Sequence, residues 1–301
     1  MASDAAPVVV GVDGSRGALD AARWACAIAD RLGVPLRVIT AMPALGYNPS
    51  DIAVAVRVAA IEEHRTWADR YLEAAADVVR ADHPGVQVTT ASLAEPADEA
   101  LGTASRSARL VVLGCEDVTA TGALLVGSTT LRALAHASCP VVAWRGGAIA
   151  PSTQPIVAGV DGSGRDGGAL HLAFELAEGL DVPLWVVHSW KLKGYAQFHR
   201  PAVVDADADT QRQSQRIDEL IGAQCTNHPS VKVTAQIGES AKASHALALH
   251  GECAQLVVVG SRRRHPLARG LFGSTSLNLL HHCRVPVVLC PFEEHDPAYQ
   301  D

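Results

Sequence analysis

Two short glycine-containing segments carry residue types that bind phosphate in proteins. Asp-Gly-Ser at positions 13–15 follows a predicted strand, and Gly-Ser-Thr at 127–129 opens a predicted helix. Glycine lets backbone N–H groups approach a ligand, hydroxyl groups add donors, and a helix N-terminus favours an anion. A tight turn followed by a capped helix uses the same residue types. Each segment alone is therefore equally consistent with a purely structural role.

Both segments occur twice in the chain, and their order is preserved. The matching stretches are 8–15 with 156–163, 110–114 with 256–260, and 127–129 with 273–275. Such a pattern with small changes in spacing indicates a duplication. Small residues and prolines at 146–155 interrupt the hydrophobic periodicity between the copies. This interruption predicts a domain at residues 1–150 and a second domain at 151–301.

Length and composition agree with two globular domains. The chain has 301 residues, 48% of them hydrophobic and 19% charged, which is enough apolar material for two cores. A net charge of −7 disfavours nucleic acid and anionic membranes as partners, and no apolar run is long enough to span a bilayer. The start of the chain has no leader pattern, so we expect a cytoplasmic protein. The seven scattered cysteines are expected to be reduced and mostly buried.

Short Val/Ile/Leu runs alternate with longer helical patterns in both copies. In the first copy the predicted strands are 7–12, 36–41, 86–92, 109–114 and 140–144, and the predicted helices are 16–32, within 51–82, 97–106 and 128–137. In the second copy the predicted strands are 156–160, 184–189, 231–236, 255–260 and 286–290. Alternation of this kind predicts an α/β protein with two tandem, doubly wound, Rossmann-like domains, each with a five-stranded parallel sheet.

The two glycine-containing segments meet in such a fold if the strand order is 3-2-1-4-5. Strands one and four then lie side by side, and their connections leave toward opposite faces of the sheet. The loops that follow these strands would face one crevice at the carboxyl edge of the sheet.

Taken together, these motifs resemble the universal stress protein family in its tandem form, over essentially the whole chain. The likeness rests on Gly-Val-Asp-Gly-Ser after the first strand, Val-Pro-Leu before the second, and Val-Val-x-Gly followed at fixed spacing by Gly-Ser-Thr. The resemblance implies an adenine nucleotide α-hydrolase-like domain and ATP binding through the pattern G-x2-G-x9-G-[S/T]. It also implies pairing of domains through their last strands, often without established catalytic turnover.

The resemblance also implies nucleotide-binding residues in both copies. In the first copy they are Val12, Asp13, Ala41, Gly114, Gly127, Ser128, Thr129 and Thr130. In the second copy they are Val160, Asp161, Ser189, Gly260, Arg263, Gly273, Ser274, Thr275 and Ser276. By the same likeness, Asp13 and Asp161 would lie near the ribose, and Ala41 and Ser189 near the adenine.

Both copies depart from the family pattern at its middle glycine, and they do so with opposite charge. Asp117 stands there in the first copy, beside Glu116, whereas Arg263 stands there in the second, within Arg262–Arg264 and near Arg269. Guanidinium groups strengthen phosphate binding and carboxylates oppose it. We therefore expect tighter ATP binding in the second domain. Mg²⁺ held by the acidic pair and a triphosphate would restore binding in the first.

The sequence thus predicts a cytoplasmic, ATP-binding stress or signalling regulator, and two other functions stay open. One is an interaction scaffold that works without nucleotide, and the other is a slow ATPase or autophosphorylating enzyme. No Walker-type lysine motif is present, and we assign no catalytic residue and no protein metal site. The last strands, near 141–144 and 287–290, are expected to pair the copies as an intramolecular pseudo-dimer, and remaining edges to form a possible homodimer.

Overall fold

The computed structural model describes residues 5–42, 51–115, 127–163, 167–190, 206–239, 242–261 and 273–291. Within these ranges the chain forms two compact units. The first ends at Ser152 and the second begins at Thr153. Each unit is an α/β domain whose described strands pair in parallel with one another.

The described residues of unit 1 form five strands and four helices. They are β1 (Val8–Gly11), α1 (Arg16–Leu32), β2 (Leu36–Ala41), α2 (Asp51–Asp82), β3 (Val88–Leu93), α3 (Ala97–Ser105), β4 (Leu110–Gly114), α4 (Ser128–His136) and β5 (Val141–Trp144). The strand order is β3-β2-β1-β4-β5, and every paired neighbour is parallel. The central strand β1 pairs Val10 with Val38 on one side and with Val112 on the other.

Unit 2 repeats this arrangement. Its elements are β6 (Ile156–Val160), α5 (Gly167–Leu180), β7 (Leu184–Trp190), α6 (Ala206–Cys225), β8 (Val233–Glu239), α7 (Ala243–Gly251), β9 (Leu256–Ser261), α8 (Ser274–His282) and β10 (Val287–Pro291). The order β8-β7-β6-β9-β10 is again 3-2-1-4-5 in the unit's own numbering, with parallel pairs throughout. The predicted fold class is confirmed in both units.

The core explains why these segments form their elements. The strand residues 8–10 and 110–113 are buried along their whole length, as a sheet covered on both faces requires. Helix α1 buries a row of alanines, including Ala21, Ala22 and Ala25, which lets its backbone lie close to the sheet. It ends at Gly33, whose left-handed φ of 64° forms the C-cap.

One predicted strand is displaced. The sequence predicts a strand at 231–236, but β8 runs from Val233 to Glu239. Strand β8 pairs with β7 along its full length, as far as the pair Trp190 and Glu239. The polar residues at its end therefore belong to the strand because of pairing, although they carry no apolar signal.

In both units a histidine–carboxylate contact fixes the loop before the third strand. His83 Nδ1 lies 2.9 Å from Asp30 Oδ2 in unit 1. In unit 2 the Nδ1 of His228 lies 2.8 Å from Glu178 Oε2, and the Ser230 hydroxyl donates to Glu178 Oε1 at 2.8 Å. These hydrogen bonds lower the pKa of Glu178, and the bond from His228 has the largest effect.

The cysteines form no disulfide. All seven are free, and Cys253 is exposed whereas five others are buried. Burial raises the pKa of the Cys26 and Cys139 thiols to about 12. Among the helices that the structure describes, none combines the length and apolarity needed to cross a membrane.

Replacing Glu178 with Gln is expected to lower the melting temperature near neutral pH, with a smaller effect as the pH falls. Because the folded state lowers the pKa of Glu178, the ionised carboxylate stabilises the fold above the pKa of the unfolded chain, about 4.3. That stabilisation is lost as the pH drops through the lowered folded-state pKa. Thermal melts of both proteins from about pH 7 to about pH 3 measure the difference.

The control is Glu219→Gln, which changes an exposed carboxylate of α6. Its melting temperature should follow that of the wild type at every pH. A deficit of Glu178→Gln that stayed undiminished in acid would contradict the assignment of this stabilisation to the ionised carboxylate.

Candidate functional site

The candidate site lies at the carboxyl edge of each sheet, where the first and fourth strands of the unit are neighbours. In unit 1 these are β1 and β4, and in unit 2 they are β6 and β9. The chain leaves the first strand toward α1 or α5 and the fourth toward α4 or α8. Right-handed crossovers place those two helices on opposite faces of the sheet. The strand ends therefore open a crevice, as the order 3-2-1-4-5 predicts.

The turn after the first strand is held by its aspartate. The Ser15 backbone N–H donates to Asp13 Oδ1 at 3.0 Å, and the Ser163 N–H donates to Asp161 Oδ1 at 2.8 Å. Both carboxylates are exposed. The two aspartates thus stabilise their own turns, and a contact with a ligand would be a second role for them.

The glycine inside this turn has a conformation that favours glycine. Gly14 and Gly162 have φ values of 82° and 71°. The Tyr71 ring also packs directly on Gly14, because a Cβ there would lie 2.2 Å from Tyr71 Cε1. In unit 2 a Cβ at Gly162 would lie 3.4 Å from His188 Cε1, a looser contact.

The helices at the crevice differ in how their first turns are capped. The Ser15 hydroxyl accepts from the Ala18 N–H at 3.2 Å, so α1 is capped by its own sequence. Helices α4 and α8 instead begin after Gly127 and Gly273, which have no side chain to offer as a cap. The N–H groups at the starts of α4 and α8 are therefore suited to bind an anion.

The residue that follows each Gly-Ser-Thr segment faces inward. Thr130 is 5% exposed and its Oγ1 lies 3.9 Å from Cys115 Sγ. Ser276 is 2% exposed and its hydroxyl donates to the Gly260 carbonyl at 3.4 Å. Both side chains hold the helix start against the end of the fourth strand.

In unit 2 the predicted residues line one cavity of about 210 Å³. Eight of them contribute to its wall, namely Val160, Asp161, Ser189, Gly260, Gly273, Ser274, Thr275 and Ser276. The cavity thus combines the turn after β6, the end of β7 and the uncapped start of α8. In unit 1, Val12, Asp13, Ala41, Gly114, Gly127, Ser128, Thr129 and Thr130 lie at the corresponding strand ends and helix start.

The apolar wall of this cavity is not among the residues that the sequence predicts. Its additional residues are Gly159, Val187, Ala243, Leu247 and Val259. Leu247 of α7 reaches the sheet because Gly159 has no side chain. A Cβ at Gly159 would lie 2.8 Å from Leu247 Cδ1. Strand alternation was an available signal for Val187, which lies on the same face of β7 as Ser189. No pattern pointed to α7.

Two neighbouring residues of β7 show how the cavity is supported. His188 is 3% exposed, and its Nδ1 donates to the Val160 carbonyl at 2.9 Å. This bond ties the end of β7 to the strand that leads into Asp161. Ser189 lines the cavity, and within the described ranges its buried Oγ has no hydrogen-bond partner.

Several predicted groups lie outside the described residues. They are Arg263 with its neighbours Arg262 and Arg264, Arg269, and the acidic pair Glu116 and Asp117. Gly114, in contrast, has a clear packing role. A Cβ there would lie 2.7 Å from the Gly17 carbonyl oxygen and 2.9 Å from the Ala18 nitrogen, so the first turn of α1 rests on this glycine.

Comparison with known proteins gives a consistent result. The model of the universal stress protein family matches residues 6–145 and 152–291. A universal stress protein of Mycolicibacterium smegmatis is 31% identical over 286 residues, which cover 94% of this chain and 96% of that protein. One from Mycobacterium tuberculosis is 30% identical over 294 residues, with coverage of 94% and 95%.

A solved structure extends the likeness to the fold. The crystal structure of a universal stress protein from Archaeoglobus fulgidus superposes with a TM-score of 0.74. It covers 95% of this chain and 98% of its own, at 20% sequence identity.

The two glycines of the unit 1 loop are expected to respond differently to alanine. Gly114→Ala should lower the stability of unit 1 by about 1–3 kcal/mol, because the methyl group must displace the backbone of α1. Gly127→Ala should cost about 1 kcal/mol or less, because φ is −59° and only the weaker N-cap preference of alanine is at stake. In the described part of the chain nothing lies within 4 Å of a Cβ at Gly127. Melting temperatures measure both, and equal losses would contradict the packing role of Gly114.

Proposed function

The chain belongs to the universal stress protein family, and from this membership we propose that it is an ATP-binding regulator whose output in a stress response depends on nucleotide occupancy. The observation that carries the proposal is the cavity of unit 2. There the exposed Asp161, four hydroxyl-bearing residues and a helix start without a side-chain cap surround one space beside an apolar wall. Each part of a nucleotide has a matching surface in it.

The start of α8 supports binding of the phosphates. Its N-cap is Gly273, and Ser274 and Thr275 add hydroxyl donors next to first-turn N–H groups for which the N-cap residue supplies no side-chain hydrogen bond. The helix dipole adds a favourable field for an anion at the same point. No catalytic base or metal centre is needed for this interaction.

The opposite side of the cavity supports binding of the nucleoside. A carboxylate such as Asp161 can accept hydrogen bonds from a ribose diol, as an acidic residue does in dinucleotide-binding folds. The apolar side chains of Val187, Leu247 and Val259 form a wall that suits a flat aromatic ring. The proposal therefore assigns the ribose to Asp161 and the base to the wall formed by β7 and α7.

We further propose that unit 2 binds ATP more tightly than unit 1. The support is the sequence of the two phosphate loops, with Arg262–Arg264 and Arg269 in the second and Glu116–Asp117 in the first. These loops lie outside the described residues, so the argument rests on their charge alone. Mg²⁺ bound together with the triphosphate would reduce the difference, because it neutralises the acidic pair.

The proposed compartment is the cytoplasm. All seven cysteines are free, which is the state expected in a reducing environment. The proposed ligand, ATP, is abundant there.

Two matched glycines test both proposals. Gly273→Ala is expected to weaken ATP binding about tenfold or more, because the methyl group enters the space at the start of α8. Gly127→Ala makes the same change at the start of α4 in unit 1, and it should have little effect on the tighter ATP binding, which is assigned to unit 2. The two N-caps have φ values of −60° and −59°, so the cost to the fold should be equal. Isothermal titration calorimetry with ATP measures the affinities.

Gly222→Ala, in α6, serves as the control and should bind ATP like the wild type. Loss of the tighter site by Gly127→Ala, with Gly273→Ala unaffected, would overturn the preference for unit 2. Absence of heat with ATP, together with no nucleotide released from the purified protein in mass spectrometry, would favour a nucleotide-independent scaffold. Steady release of ADP would favour the slow ATPase or autophosphorylating enzyme.

A further inference from the structure

We infer that His188 is a positioning residue of unit 2, which fixes the turn that carries Asp161 and thereby makes the cavity selective for a ligand with an intact diol on its sugar. The inference rests on the proposed function, because Asp161 is the group assigned to the ribose there. His188 is not among the described residues that line the cavity, and it acts through the backbone on either side of Asp161.

The His188 side chain lies on the face of β7 that is turned away from the cavity. Val187 and Ser189, its neighbours along β7, both line the cavity, and successive side chains of a strand point to opposite faces. The His188 side chain is buried on that other face, where the residue is 3% exposed. Its backbone pairs with Val160 on one side and with Ile237 on the other, so the ring projects from a strand that is held at both edges.

The His188 ring meets the chain both before and after Asp161. Its Nδ1 lies 2.9 Å from the Val160 carbonyl oxygen. Because a carbonyl can only accept, this nitrogen carries the proton and donates. On the other side of the aspartate, a Cβ at Gly162 would lie 3.4 Å from His188 Cε1, so the ring also borders this glycine. One ring therefore supports both residues that flank Asp161.

The end of β6 depends on support from this side. Strand β6 pairs with β9 as far as Gly159, but with β7 as far as Val160. The chain then enters a turn with a φ of 71° at Gly162, a residue type with wide conformational freedom. A carboxylate that recognises a diol must be held within a fraction of an ångström of its productive position. The bond to the Val160 carbonyl supplies that restraint directly before Asp161.

Unit 1 supports the corresponding turn in another way. Buried Thr40 stands where unit 2 has His188, and the Tyr71 ring of α2 packs directly on Gly14. A ring packed on the glycine restricts the turn by its shape, whereas His188 adds a directed hydrogen bond to the residue before the aspartate. The role assigned to His188 is therefore specific to unit 2.

The experiment measures the preference for ATP over 2′,3′-dideoxy-ATP, which lacks the diol and keeps the base and the phosphates. Calorimetry with each nucleotide gives the ratio of the two dissociation constants for the tighter binding, which is assigned to unit 2. The wild type should prefer ATP about tenfold, because its carboxylate bonds the diol. In His188→Leu, which removes the donor, the preference should fall to about twofold or less.

Two polar variants locate the donor and decide the question even if His188→Leu does not fold. The amide nitrogen of asparagine is attached to Cγ, as Nδ1 of histidine is, so His188→Asn can place a donor at the same point. It should keep the preference for ATP. In glutamine the amide lies one carbon further from the backbone, so His188→Gln should lose the preference as His188→Leu does.

His228→Leu is the matched control, because His228 is a buried histidine of the same unit with a purely structural contact. It is 9% exposed and its Nδ1 lies 2.8 Å from Glu178 Oε2. In both histidines the Nε2 is buried and has no hydrogen-bond partner among the described residues. This variant should have a lower melting temperature and the wild-type preference for ATP.

Three results would overturn the inference and leave ATP binding intact. They are an unchanged preference in His188→Leu and His188→Gln, an equal loss of affinity for both nucleotides, and a loss of preference in His188→Asn as large as in His188→Gln. A wild type that binds both nucleotides equally would remove the ribose assignment of Asp161 together with the inference. A wild type that does not bind ATP would overturn the proposed function itself, so the wild-type titrations separate these failures.

Discussion

In unit 1 the first turn of α1 lies so close to the end of β4 that a Cβ at Gly114 would be 2.7 Å from a backbone oxygen. In unit 2 a leucine of α7 lies equally close to Gly159. In unit 1 this approach sets how close the turn after β1 lies to the end of β4, because a side chain at position 114 would displace the first turn of α1. In unit 2 the missing side chain at Gly159 lets α7 lie against β6, and Leu247 thereby forms part of the cavity wall.

The two units share this backbone framework and differ in side chains that do not alter it. The contact that fixes the loop before the third strand is kept with a change of acid, from Asp30 to Glu178. Buried Thr40 corresponds to His188, which bonds the Val160 carbonyl. The first replacement keeps an ion-pairing contact at an exposed position, and the second keeps a buried polar side chain next to the strand end that borders the crevice. Duplication thus leaves one protein with two sites that share a backbone and differ in their side chains.

The sequence was sufficient to predict the parts of the site that come from local patterns. The repeat located both aspartate turns and both helix starts, and the order 3-2-1-4-5 brought them together. The sequence was not sufficient to predict the contacts that tertiary packing makes. Leu247 is far from the motifs in sequence and reaches the cavity only because Gly159 lets α7 lie on the sheet. The sequence likewise does not show that the Ser189 Oγ lacks a hydrogen-bond partner among the described residues, because this depends on which groups the fold places around it.

The structure also separates residues that serve the fold from residues that the fold does not use. Asp161 holds its own turn through the Ser163 N–H, and Ser276 ties α8 to β9, so a change at either position alters the architecture before it alters any ligand contact. Gly273 and Ser189 are different. Within the described part of the chain, nothing lies within 4 Å of a Cβ at Gly273, and the Ser189 Oγ has no hydrogen bond. A methyl group at Gly273 is therefore expected to act on the space at the start of α8 rather than on the packing of the fold.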